Sequence, residues 1–233
     1  MDESPKVVFN ALDRNAEIDI SQRNLPHWFQ VGAAMFITFR TADSLPREVL
    51  LRMRRELEEW LSNRKLPIEL AASVFDAKLP NHEQVIETLT IADRHEFRKR
   101  TDRLIHGALD ECQGECLLRR RELASIVANA IQHHNGSKYD LDCFVVMPNH
   151  VHAIVQFRVD CGRSIIGQSW MRYSARLINR MIGASGVFWQ PEPFDHVIRS
   201  AEQFVYLQNY TTGNPAKANL RMNEFLCWER ERE

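Results

Sequence analysis

No stretch of the 233 residues is long and apolar enough to span a membrane, although hydrophobic residues make up 44% of the chain. That share is too high for a disordered protein. The opening MDESPKVVFNALDRN lacks the basic stretch followed by an apolar one that marks a secretory leader. No signal peptide is expected, and the cytoplasm is the expected compartment. The cysteines number five, so one stays unpaired in any full disulfide scheme, and reduced thiols are expected. Cys112 and Cys116 stand at CxxxC spacing without a second Cys or His pair at a usual interval, which argues against a structural zinc site. Internal repeats and low-complexity tracts are also missing.

An excess of one charge is lacking too. The net charge of −1 argues against a protein that coats nucleic acid non-specifically. The average conceals a gradient, since residues 158–222 hold eight basic side chains against four acidic ones. A locally basic C-terminal third suits a polyanion, or else a solvated surface with its arginines in ion pairs.

The length fits one domain carrying a sizeable insertion. MFITFR (35–40) reads as a strand. In 47–63, Val49, Leu50, Met53, Leu57, Trp60 and Leu61 recur at helical spacing, with Arg and Glu alternating on a water-facing side. Between about 65 and 118 the periodicity weakens, and a mostly helical insertion is predicted there. A second amphipathic helix covers 119–134, with a turn at 135–140. Strands at 143–146 and 150–157 follow as an antiparallel pair, parted by Met147-Pro148-Asn149, where a proline cannot donate to a ladder. A helix over 164–183, a short strand near 196–199 and a helix over 201–212 complete the pattern. The last helix is predicted to close at Gly213-Asn214-Pro215. Strands interspersed with helices and an antiparallel hairpin predict an α+β fold, one sheet covered by helices.

The chemistry gathers at FVVMPNHVHAIV (144–155). Its β-branched residues favour an extended strand, in which positions i and i+2 share a face. His150 and His152 therefore point the same way, about 6–7 Å apart at the backbone, and can converge on one divalent ion. The bland reading is a pair of satisfied core histidines. Neutral imidazole suits zinc, manganese, iron or nickel, and oxygen co-ligands shift the preference toward magnesium or manganese.

The last helix holds the second feature. Tyr206, Tyr210 and Asn214 recur at intervals of four, which stacks them on one helical face. A tyrosine hydroxyl is a poor nucleophile at neutral pH unless a metal or base helps to remove its proton. An asparagine carbonyl on that face is a candidate oxygen ligand. The competing reading is amphipathic tyrosines packed in the core with wet hydroxyls.

PNHVH inside an apolar strand resembles the His-hydrophobic-His signature of HUH endonucleases. FWQPEPFDHVIR followed by FVYLQNYTTGNPAKA resembles the C-terminal half of REP-associated tyrosine transposases, and LPHWFQVGAAMFITFR their first-strand region. The resemblance spans most of the chain outside roughly 65–115. It implies a ferredoxin-like HUH fold, with a central antiparallel sheet covered by helices. It also implies His150 and His152 as metal ligands with Asn214 as the third, Tyr210 as nucleophile, and Mg²⁺ or Mn²⁺ as cofactor. Tyr206 and Tyr173 receive no role and are read as structural. The implied activity is transposase-like cleavage and strand transfer of single-stranded DNA at hairpin-forming palindromic repeats, by a monomer or homodimer in the bacterial cytosol.

Arg172, Arg176 and Arg180 recur at helical spacing and are candidates, with Arg199, for DNA phosphates. Trp170, Trp189 and Phe194 are candidates either for stacking on bases or for the core. Two competing functions remain: a relative that grips DNA hairpins without cutting, and a metal-dependent hydrolase of another substrate. The hydrolase would need a carboxylate or third histidine near the pair, with Asp195 and His196 the candidates.

Overall fold

The computed structural model describes residues 7–22, 26–75, 86, 89–158, 163–191 and 193–231. Leu25, Cys161 and most of the stretch 76–88 lie outside the described residues. The chain forms two compact units, Met1–Ala42 with Glu115–Glu233, and Asp43–Gly114. The inserted unit therefore begins well before residue 65. The helix at 47–63, read in the sequence as preceding the insertion, belongs inside it.

The larger unit is built on a five-stranded antiparallel sheet. A small hairpin, β1 (Asp19–Gln22) and β2 (Pro26–Phe29), forms its own two-stranded ladder. The sheet comprises β3 (Ala34–Arg40), β4 (Tyr139–Val146), β5 (His150–Phe157), β6 (Phe194–Val197) and β7 (Leu226–Glu229). Their spatial order is β6-β3-β5-β4-β7, with every pairing antiparallel. The fold class is α+β, as predicted. Strands β1, β2 and β7 carry too few alternating apolar residues to have been legible, and β6 lies two residues earlier than expected.

Strands β3, β4 and β5 are covered on both faces, which is why they read as nearly continuous apolar runs. On one face Met35, Ile37, Phe39, Val151, Ala153 and Val155 pack against two helices, α4 (Arg121–Gln132) and α5 (Arg163–Ile182). Leu123, Val127 and Ile131 come from α4, Trp170 and Ile178 from α5. Each Val, Leu, Ile, Met or Phe side chain among them contributes about 1.5–3 kcal/mol of burial. The indoles belong to this layer. Trp170 Nε1 donates to the Tyr139 hydroxyl at 3.0 Å, and Trp189 Nε1 to Ser174 Oγ at 2.9 Å. That decides Trp170 and Trp189 for the core.

The opposite face holds Ala34, Phe36, Cys143, Ile154 and Ile198 and is covered by α6 (Ala201–Lys217) through Phe204, Leu207 and Tyr210. Strand β4 changes sides along its length. Tyr139 and Leu141 face the α4/α5 layer, as do Phe144 and Val146, while Cys143 lies toward α6. The switch comes from a bulge at Asp142, where Leu141 pairs with Val155 and Cys143 with Ile154. Asp142 in turn holds α6, accepting from Gln208 Nε2 at 2.6 Å.

The described residues of the inserted unit are mostly helical. It contains α1 (Arg47–Asn63), α2 (Glu69–Phe75) and α3 (Ile91–Asp110). Val49 and Met53 of α1 meet Ala108 and Leu109 of α3, while Leu57 and Leu61 meet Leu70, Ala71 and Phe97. The outer side of α1 is salt-bridged as its pattern implied, with Arg54 to Glu58 at 2.8 Å and Arg100 to Glu56 at 3.3 Å. Among the described residues no helix is long and apolar enough to cross a membrane.

Candidate active site beneath helix α6

The His-Val-His segment opens β5, and its neighbours across the ladder are Arg40 for His150 and Thr38 for His152. Period-two alternation sends Val151 into the α4/α5 core and both histidines to the α6 side. Both rings are fully buried. Their centroids lie 4.7 Å apart at 72°, closer than the backbone spacing because the side chains lean together.

Helix α6 is capped by Ser200, whose side chain accepts from Gln203 N at 3.2 Å. Contrary to the sequence expectation, the helix does not stop at Gly213-Asn214-Pro215 but runs on to Lys217. Pro215 removes only one ladder hydrogen bond, and burial of Thr211, Asn214 and Pro215 against the sheet holds the final turn in place. The predicted i, i+4 geometry of Tyr210 and Asn214 therefore exists. The Tyr210 ring lies 5.2 Å from that of His152 and 6.2 Å from that of Phe36. Asn214, one turn on, is 1% exposed.

Four ligand-type atoms are thus buried beneath α6: Nε2 of His150, Nε2 of His152, the Tyr210 hydroxyl and Asn214 Oδ1. The other ring nitrogens are engaged. His150 Nδ1 is 2.7 Å from Asn149 Oδ1, and His152 Nδ1 is 2.7 Å from Thr38 Oγ1. Two imidazole nitrogens and an amide oxygen would make a neutral donor set, of a kind suited to a borderline or hard dication such as Mn²⁺ or Mg²⁺. Being neutral, such a set would leave a bound dication its full charge for an anionic substrate. Among the described residues there is no group of three or more His, Cys, Asp or Glu side chains that could hold a metal. His196 instead meets the ring of Phe36 at 5.5 Å and Gln203 Nε2 at 3.4 Å.

Other sequence candidates lie elsewhere. Tyr206 projects outward at 65% exposure, and Tyr173 is exposed on α5 beside Arg176, whose guanidinium carbon is 5.9 Å from its ring centroid. The structural role read for these two tyrosines is thus not a core one. Arg172, Arg176 and Arg180 form an exposed row on α5, in the layer opposite the histidines. Arg199 precedes α6 and lies over the Trp28 ring at 5.7 Å.

Sequence reading passed over four neighbours of the site. Thr38 and Asn149 contact the histidine rings. Arg40 stands opposite His150 in the ladder, and burial pushes its guanidinium down to about 10, which leaves it charged at neutral pH. Lys217 Nζ lies 5.5 Å from the Tyr210 ring centroid. Of these only Asn149 carried a sequence signal, through its place in PNHVH. The others needed the strand register and the length of α6.

No family model matches the chain, and no curated protein matches it. A solved structure of a REP-associated tyrosine transposase bound to a REP hairpin is similar over 84% of this chain and 74% of that one. The TM-score is 0.41 and the identity 13%. A superposition this loose assigns no residue a role.

Proposed function

We propose that this chain is a metal-dependent single-stranded DNA endonuclease and strand transferase that acts through a covalent 5′-phosphotyrosine, with Tyr210 as nucleophile. The observation that carries this reading is the meeting of three rings from two separate elements. His150 and His152 on β5 lie with centroids 4.7 Å apart, and Tyr210 on α6 lies 5.2 Å from His152. A core that needed only apolar filling would gain nothing from burying two imidazole nitrogens, a phenolic hydroxyl and an amide oxygen beneath one helix, because buried polar groups are costly.

A dication bound by His150, His152 and Asn214 would supply Lewis acidity toward a phosphodiester oxygen. The chain's own residues do the rest. Asn214 and Tyr210 sit one helical turn apart, so the turn that presents the amide also sets the phenol. Tyr210 Oη attacks phosphorus, the P–O3′ bond breaks, and the departing 3′ oxygen takes up a proton while the phenolic proton leaves to solvent. The phosphotyrosine conserves the bond energy, so a second 3′ hydroxyl can attack and release Tyr210. The positive charge of Arg40 beside His150 suits an anionic backbone.

Hairpin-forming palindromic DNA is the proposed substrate. A phosphodiester within a duplex is hard to bring to a phenol held against a sheet, whereas a strand beside a hairpin can bend into it. The arginine row on α5 would then hold a different part of the nucleic acid from the one that reaches Tyr210.

The test is incubation with a labelled hairpin oligonucleotide and Mn²⁺, followed by denaturing electrophoresis. A protein-linked species is expected with the native chain and none with Tyr210→Phe. An adduct that persists in Tyr210→Phe overturns the assignment.

A further inference from the structure

From the two short contacts behind the histidine rings we infer that Thr38 and Asn149 are positioning residues that hold both imidazoles as the Nδ1–H tautomer, aiming two Nε2 lone pairs at one cation. The inference rests on the cation-dependent reading of the site, and it concerns which nitrogen of each ring is available.

For His150 the direction follows from chemistry. Asn149 Oδ1, 2.7 Å from Nδ1, is a carbonyl oxygen and can only accept, so the proton is on Nδ1. For His152 the partner is a hydroxyl, Thr38 Oγ1, also at 2.7 Å, which can donate or accept. If the hydroxyl donated, Nε2 of His152 would carry a hydrogen and point a positive end into the space where His150 Nε2 offers a lone pair. One ring would then attract a cation and the other repel it. The hydroxyl must accept for both rings to bind the same ion.

The position of Thr38 supports a reason for the hydroxyl. It lies in β3 on the face of Ala34 and Phe36, both apolar and buried, where valine would fill the same volume without a polar atom to desolvate. Its partner ring is further confined by Phe36, stacked on His152 at 5.3 Å and 20°. A metal-binding imidazole whose second nitrogen is held in this way has its ring orientation and tautomer set before the ion arrives, and loss of such a partner weakens metal affinity by about 10–100-fold.

The full chain labelled with ¹⁵N at histidine, free of metal and at about pH 8.5, above the imidazole range, reveals each tautomer through long-range ¹⁵N–¹H correlations. His150→Gln and His152→Gln identify the signals. Both rings are expected protonated at Nδ1 and bare at Nε2. In Thr38→Val the His152 signals are expected to shift to a mixture, with Mn²⁺ affinity by titration calorimetry reduced by about 10–100-fold. Thr38→Ser, which restores the hydroxyl, is expected to recover both. A protonated Nε2 on His152 in the native chain overturns the inference, as does unchanged Mn²⁺ affinity in Thr38→Val. Two Nδ1–H rings in a native chain that binds no Mn²⁺ would uphold the tautomers and overturn the cation reading alone.

Discussion

The Gln208 side-chain amide donates to the Asp142 carboxylate at 2.6 Å, joining the helix that carries Tyr210 to the bulge that turns β4 over. One extra residue in a strand thus supplies an anchor for a helix whose own amphipathic face is short. Hydrogen bonds to a buried charge are among the stronger ones, about 1.5–3 kcal/mol. Gln208→Ala should lower unfolding free energy by about that amount in urea titration. It should also slow adduct formation more than the stability loss explains, since Tyr210 is two residues further along α6 and stays in place only while the helix is seated. An adduct rate equal to the native one would show that α6 is positioned by its apolar contacts alone.

Tyr206 tests the helical face. Because it lies one turn before Tyr210 and projects into solvent at 65% exposure, Tyr206→Phe should leave the covalent species at native yield. Stripping the protein with chelator, or replacing His150 and His152 together by alanine, should remove both Mn²⁺ binding and the adduct. The readouts are calorimetry and denaturing electrophoresis.

The row Arg172, Arg176 and Arg180 lies in the layer remote from Tyr210. Changing all three to glutamine should weaken hairpin binding and flatten its dependence on the logarithm of salt by about one unit for each lost phosphate contact. The rate of adduct formation at saturating DNA should hold. Fluorescence anisotropy across a salt series reads the first effect and a single-turnover time course the second. An unchanged salt slope would return the row to an ordinary solvated surface.

In the inserted unit, burial raises the Asp102 carboxyl to about 6, and the nearby Arg98 offsets this only in part. An acid whose native value lies above its unfolded one binds more protons when folded, so its charge begins to cost stability as pH rises past about 4. The full cost is present above about 6, at most about 3 kcal/mol. Asp102→Asn should therefore stabilise the chain at pH 7 and have little effect below pH 4, as read by thermal melts at the two pH values. Equal melting shifts at both would place the effect in packing rather than in charge.

Much of the core was legible. The apolar runs in MFITFR and FVVMPNHVHAIV marked β3 and β5, strand geometry put His150 and His152 on one face, and helical spacing found α1, α4 and α5. Tyr210 and Asn214 were legible as helical neighbours, and the structure kept them so even though Pro215 pointed to an earlier stop. Its missing hydrogen bond is offset by the apolar seat that α6 finds on the sheet. Strand β7 was not legible because its burial comes from β4 and α4 rather than from its own alternation. The bulge at Asp142 was hidden because a single extra residue leaves no mark in composition.

Local periodicity alone determined that two imidazoles point one way and that a phenol and an amide share a helical face, since side-chain direction within an element follows from backbone geometry. Only the tertiary structure decided that these faces meet, that Thr38 and Asn149 stand behind the rings, and that the arginine row lies in the other layer. Those relations depend on strand order, on one bulge and on which side of the sheet each helix crosses, and contacts between residues distant in the chain settle all three.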